Sequence, residues 1–223
     1  MHLQPRLVPT SEPDRPEGVV VVLHGGASRG EQMMVSPTQL SVLRMVPIAR
    51  RIARAGRGRL ATYRLLNSYR GWDTHHTPVD DARWAMRQVT ERYGDVPVCL
   101  VGHSLGGRAA LLAGDHDNVA SVVALNPWVY PTDRADLTGR RVLIAHGDAD
   151  RIAVPSRAQT VARTLARTTD VAWLTVQGGK HAMLNRARVF EGAAADWATA
   201  TLLGRDVGGP VSRLLAGERS TTV

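Results

Sequence analysis

Gly102-His103-Ser104-Leu105-Gly106-Gly107 follows the apolar run Val96-Pro97-Val98-Cys99-Leu100-Val101 and precedes the helix-forming run Arg108-Ala109-Ala110-Leu111-Leu112-Ala113. The order is strand, sharp turn, helix, with a serine at the tip of the turn. Gly102 and Gly106 stand two residues before and two after Ser104. A turn this tight crowds its neighbours against the backbone, and only glycine leaves room. The arrangement lifts the Ser104 hydroxyl clear of the sheet. It also sets the Leu105 amide at a helix N-terminus, where unpaired N–H groups and the helix dipole favour negative charge.

Outward from this turn the chain alternates strand and helix, the pattern of a mainly parallel sheet covered on both faces. Val19–His24 is β-branched and almost continuously apolar, as a buried parallel strand should be, and runs into Gly25-Gly26. A helix is expected from about Thr38 to Ala55, with Pro47 kinking it or starting a second segment. Further strands are expected at Leu60–Leu66, Val119–Leu125, Arg141–Ala145 and Val171–Val176. Helices are expected at Asp80–Tyr93, within Val154–Thr168, and over residues 187–203. The expected sheet has about six strands. Residues 1–17, polar and carrying Pro5, Pro9, Pro13 and Pro16, read as an extended arm. Residues 18–204 read as one domain, and the Gly-rich residues 205–223 as a tail that frays at its end.

Composition narrows the function classes. A chain of 223 residues, 43% hydrophobic and 22% charged, is ordinary for one globular domain. No stretch approaches the ~20 apolar residues of a membrane span. The opening Met1-His2-Leu3-Gln4-Pro5-Arg6 lacks a charged-then-apolar leader pattern. The expectation is a cytoplasmic protein with no membrane partner. The net charge of +8 raises the question of nucleic acid, but the arginines are scattered without interleaved aromatics. Arg50, Arg51, Arg54 and Arg57 recur on one side of a predicted helix and read as a solvated face, so no nucleic-acid partner is expected. Cys99, the single cysteine, lies in mid-strand and reads as a small core residue.

Three loops join the serine turn in order along the chain. They are His24-Gly25-Gly26, then His146-Gly147-Asp148-Ala149-Asp150, then Gly178-Gly179-Lys180-His181, each after an apolar strand. With these motifs the chain resembles the α/β-hydrolases over roughly residues 18–204, in particular small serine hydrolases of dienelactone-hydrolase-like or esterase-like type. The resemblance implies an α/β-hydrolase fold and a Ser-His-Asp triad. Ser104 would be the nucleophile and His181 the base. The family pattern H-G-x-x-D places the acid at Asp150, with Asp148 left to turn hydrogen bonds. The oxyanion would rest on the amides of Leu105 and Gly26, with Ala27 the fallback for Gly26. Some relatives carry the acid after the preceding strand, but there this chain reads Asn126-Pro127-Trp128, with no carboxylate. Only about fifteen residues separate the strands near Asn126 and Arg141, too few for the helical lid of larger lipases.

The substrate expected from these readings is a small or medium carboxylic ester or thioester. Loops at the carboxyl ends of the strands supply the pocket candidates Met33, Met34, Trp72, Trp128, Tyr130, Met183 and Leu184. Arg70, Arg108 and Arg151 lie in neighbouring segments and leave an acidic substrate open. No cofactor is required and no metal-ligand spacing appears. Two alternatives remain at this stage. One is an acyltransferase or perhydrolase using the same triad. The other is a non-catalytic relative that binds a small molecule. Oligomeric state is not legible.

Overall fold

The computed structural model describes residues 4–26 and 34–223. Six strands lie parallel: β2 (Gly18–Leu23), β3 (Leu60–Leu66), β4 (Val98–His103), β5 (Val119–Leu125), β6 (Arg141–Gly147) and β7 (Asp170–Val176). Each occurs where an apolar run predicted it. Two further strands correct the expected count of about six. β1 (Arg6–Ser11) comes from the arm and pairs antiparallel with β3. β8 (Ser220–Thr222) comes from the tail and pairs parallel with β7. The resulting order is β1-β3-β2-β4-β5-β6-β7-β8. Both additions are edge strands, which need not show the full apolar run of a central strand. β1 carries Pro9 beside a register shift, a position where an edge tolerates the missing N–H.

Side chains of β2 alternate between two cores. Val19, Val21 and Leu23 face one and Val20 and Val22 the other. On the first side lie α3 (Thr77–Tyr93), α4 (Leu105–Leu112) and α5 (Pro155–Leu165). On the second lie α2 (Met45–Gly56), α6 (Ala187–Leu203) and α7 (Gly209–Leu215). The tail, expected to fray, is therefore held by Val211 and Leu214 of α7, buried one turn apart. The single helix expected at 38–55 is two: α1 (Leu40–Leu43) and α2, with Pro47 in the first turn of α2 where its missing N–H is tolerated. Arg50, Arg51, Arg54 and Arg57 are exposed, as a solvated face requires. Cys99 is fully buried, and burial pushes its thiol up to about 12.

The strand order places the site. The chain steps from β2 outward to β3, then returns across β2 to β4. The carboxyl ends of β2 and β4 lie side by side at a topological switch point, the place where sheets of this kind bind ligands. The serine turn follows β4 at this point. Gly102 and Gly106 are required by contact: a Cβ on Gly102 would lie 2.1 Å from the Gly106 carbonyl oxygen, and one on Gly106 would lie 2.5 Å from the carbonyls of Leu23 and His24. The absence of side chains is what lets α4 start directly on the ends of β2 and β4.

Candidate active site

Ser104 sits between β4 and α4 with φ 56° and ψ −121°. A non-glycine residue in this region stores roughly 1–3 kcal/mol of strain. The strain is held by the amide of Ser104 donating to Leu125 (3.1 Å), and by the amides of Arg108 and Trp128 donating to the Ser104 carbonyl (3.1 and 3.0 Å).

Its hydroxyl is 2.9 Å from His181 Nε2, and His181 Nδ1 is 2.8 Å from Asp150 Oδ2. The structure thus brings together three residues more than thirty positions apart, from the loops after β4, β6 and β7. Asp150 is buried, and its other oxygen, Oδ1, accepts from the amides of Ile152 (2.8 Å) and Ala153 (2.9 Å). Burial pushes this carboxyl up. Hydrogen bonds from His146 and His181, the charge of His181 and the Ile152 amide outweigh burial and hold it well below the usual carboxylate range. A carboxylate facing Nδ1 sets that nitrogen as the donor and leaves Nε2 as the hydrogen-bond acceptor facing the Ser104 hydroxyl.

The backbone of His181 is fixed as firmly as its ring. Its carbonyl accepts from His103 Nε2 (2.8 Å) and from Asn126 Nδ2 (3.2 Å), which also donates to the Lys180 carbonyl (3.1 Å). Asn126 Oδ1 accepts the Gly147 amide (2.8 Å), so one side chain clasps the loops carrying Asp150 and His181. Asn126 is fully buried and has φ 43°, a left-handed conformation that asparagine tolerates. In sequence this position stands out only by lacking a carboxylate, and the signal that could have found it is an Asn, a residue that accepts left-handed φ, at a strand end. His103 is pulled down to about 3, by burial first and then by the charge of His181, so it acts as a neutral donor. Asp148 Oδ1 accepts the Gly178 amide (2.7 Å) and braces the turn.

Gly25 and Gly26 lie against the elbow. A Cβ on Gly25 would stand 3.2 Å from Ser104 Cβ, and one on Gly26 would stand 2.2 Å from the Arg70 carbonyl oxygen. Leu105 opens α4. Ala27 and Met33 lie outside the described residues.

The remaining pocket candidates divide into two groups. Trp72 and Tyr130 enclose the Arg108 guanidinium at 4.2 and 4.7 Å, and Trp128 meets Tyr130 edge-on at 5.0 Å. Arg108 is buried and paired with Asp133 through Nε (2.8 Å) and Nη2 (2.7 Å). This charge is already matched, which removes it as an anchor for an acidic substrate. The pair also pins the segment between β5 and β6, which contains no helix. Leu184 and Met183 lie on the His181 side, with Met183 buried and Leu184 72% exposed. Met34, 70% exposed, bridges to Tyr69.

The loop bearing Trp72 rests on a buried carboxylate. Asp81, in α3, accepts the Ser68 amide (2.8 Å) and hydroxyl (3.0 Å). Burial raises it to about 6, against the lowering effect of the Ser68 bonds. A carboxyl raised on folding costs stability once ionised. The penalty is absent below the unfolded value near 4, grows between there and pH 6, and reaches about 3 kcal/mol above it. Asp81→Asn should remove this fall. The expected result is that the stability difference, variant minus wild type, increases by ~2–3 kcal/mol from pH 4 to pH 8 in urea unfolding. Taking the difference cancels the opposite effect of the buried histidines His24 and His103, whose lowered values favour folding at higher pH.

The fold is that of an α/β hydrolase, and among the described residues no helix is inserted between β5 and β6. A sequence model of the alpha/beta hydrolase family matches residues 20–221, and the chain belongs to that family. No curated protein sequence matches it. Among solved structures it is similar to Est1E from Butyrivibrio proteoclasticus, with 14% identity, a TM-score of 0.65, and coverage of 90% of this chain and 93% of that one. It is also similar to XC6422 from Xanthomonas campestris, described as an α/β serine hydrolase without lid, with 18% identity, a TM-score of 0.65, and coverage of 92% and 97%. A third is the monoacylglycerol lipase of Paleococcus ferrophilus, with 17% identity, a TM-score of 0.60, and coverage of 88% and 99%. At these identities the likeness carries the fold. No helix among the described residues is long and apolar enough to cross a membrane.

Proposed function

We propose that this α/β hydrolase is a serine hydrolase that cleaves a carboxylic ester or thioester through an acyl-enzyme. The observation that carries the reading is the hydrogen-bonded line from Ser104 to His181 to Asp150, at 2.9 and 2.8 Å, beginning on a strained residue at the switch point.

In the first step Ser104 Oγ bonds to the substrate carbonyl carbon and its proton passes to His181 Nε2. The carbonyl π electrons move to oxygen, and the resulting oxyanion is received by the amides of Leu105 and Gly26. Collapse of this intermediate breaks the bond to the leaving alcohol or thiol, which takes the proton from Nε2. Water then attacks the acyl-enzyme, giving its proton to Nε2. The second collapse returns that proton to Ser104 and releases the acid. Asp150 holds Nδ1–H throughout and stabilises the imidazolium formed in each half-reaction.

Labelling with a fluorophosphonate, followed by mass-spectrometric mapping, tests this reading. The expected result is one phosphonylated residue, Ser104, with labelling lost in His181→Ala. Folded wild-type protein that stays unlabelled at saturating probe would overturn it.

A further inference from the structure

Asp150 is met by a second imidazole besides that of His181. His146 stands near the end of β6, and its side chain is fully buried. Its ring lies flat against the Trp173 indole of β7, with 5.8 Å between centroids and 12° between planes. Nε2 is 2.7 Å from the Ala153 carbonyl oxygen and 3.5 Å from Asp150 Oδ2. Both neighbours are acceptors, so Nε2 is the nitrogen that must carry a proton. Nδ1 is buried and has no hydrogen-bond partner among the described residues. Packing alone does not call for a histidine here. A buried acceptor without a partner costs stability, and an apolar side chain would cover Trp173 without that cost. What the histidine adds is one N–H directed at the turn that carries Asp150.

That turn closes on itself through this N–H. The Ala153 amide donates to Asp150 Oδ1 at 2.9 Å, and the Ala153 carbonyl accepts from His146. Oδ1 is therefore held by the Ile152 and Ala153 amides, while Oδ2 stands between His181 Nδ1, at 2.8 Å, and His146 Nε2. The 3.5 Å approach is long for a hydrogen bond, so the grip of His146 runs chiefly through Ala153.

We propose that His146 is a positioning residue for the reaction: its Nε2–H locks the turn from Asp150 to Ala153 and so fixes the plane of the carboxylate that orients His181. The inference rests on the serine-hydrolase reading above. The terminal torsion of an aspartate is soft, and rotation about it carries Oδ2 off the line to Nδ1. A catalytic group needs its place held to within about 0.5 Å and 10–20° by the residues behind it. The ladder from Trp173 to His146 to Ala153 to Asp150 supplies that hold from the sheet, and His146 does so with no exposed surface of its own.

Two variants and one measurement on the wild-type protein test this. In His146→Leu, kcat for p-nitrophenyl acetate should fall about 10- to 100-fold, the scale of a group misplaced by about 1 Å, with KM changed less than about threefold. Fluorophosphonate labelling of Ser104 should slow in parallel. His146→Gln offers an amide N–H to the Ala153 carbonyl and should keep kcat within about threefold of wild type. In the wild-type protein, nitrogen-15 NMR should place the His146 proton on Nε2 with Nδ1 bare. A loss under about tenfold in folded His146→Leu, or one seen in KM instead of kcat, would overturn the positioning role and leave the hydrolase reading standing. A loss above about threefold in His146→Gln, or a wild-type tautomer protonated on Nδ1, would do the same. The last two tests decide even where the leucine variant does not fold. Absence of Ser104-dependent turnover and labelling in the wild-type protein would overturn both readings.

Discussion

Ser104→Ala should lower kcat by about 10⁶-fold, since removing the nucleophile from a group that acts as a unit forfeits nearly all its rate enhancement. Thermal unfolding should change little, because the Ser104 side chain bonds only to His181 Nε2 among the described residues. Ser104→Gly should be equally inactive yet more stable. With φ 56° and ψ −121° the residue occupies a region that L-residues enter at a cost and glycine enters freely. Release of that strain is expected to add about 1–2 kcal/mol and raise Tm by roughly 2–6 °C. Steady-state kinetics on a short ester, together with calorimetry of both variants, measure the two effects. A Ser104→Gly variant less stable than wild type would show that the turn is not strained. Substantial activity in either variant would remove the nucleophile assignment.

The strain and the placement of the Ser104 hydroxyl have one cause. Holding a hydroxyl clear of a sheet requires a turn tighter than L-residues favour, and the chain accepts that cost at a single position by placing glycines where neighbours would collide. This is why the elbow was legible in sequence. Gly102 and Gly106 are fixed by the 2.1 and 2.5 Å approaches a Cβ there would make to backbone carbonyls, and such contacts permit no other residue. The parallel strands were legible because burial on both faces demands unbroken β-branched runs such as Val19–Val22. Helix α6 was legible because a long helix packed over the sheet shows its apolar residues at regular spacing.

The features that stayed hidden depend on partners distant in sequence or on elements too short to carry a period. β8 has three residues, and β1 is half buried and interrupted by Pro9. Arg108 could be counted as a candidate anchor only while its partner Asp133, twenty-five residues away, was unknown. Asn126 is the most instructive case. Read as a missing carboxylate, it proves to be the side chain that spaces the Asp150 and His181 loops, through bonds to Gly147, Lys180 and His181.

The choice between the two aspartates of the β6 loop yields the second large effect. Asp150→Asn should reduce kcat by about 10⁴-fold, the typical penalty for locking the base in the wrong tautomer. The structure dictates the direction of that lock. Oδ1 of Asp150 is fixed by the amides of Ile152 and Ala153, both donors. An asparagine must turn its oxygen to them and present its NH₂ to His181 Nδ1, 2.8 Å from where Oδ2 stood. The imidazole then accepts at Nδ1 and carries its proton on Nε2, so it can no longer take the proton of Ser104. The reverse orientation would aim an NH₂ group at two backbone donors inside a buried site, and leaving such groups unpaired costs about 1–3 kcal/mol each. The fold should survive, because the Ile152 and Ala153 amides keep their acceptor and His146 Nε2, 3.5 Å from Oδ2, keeps its 2.7 Å bond to the Ala153 carbonyl. Asp148→Asn is the control. Among the described residues its carboxylate accepts only the Gly178 amide, a bond that asparagine reproduces, and kcat of this variant should stay within tenfold of wild type. Comparing fluorophosphonate labelling rates with kcat for the two variants separates them: a large loss in Asp148→Asn with little loss in Asp150→Asn would transfer the acid's role to Asp148.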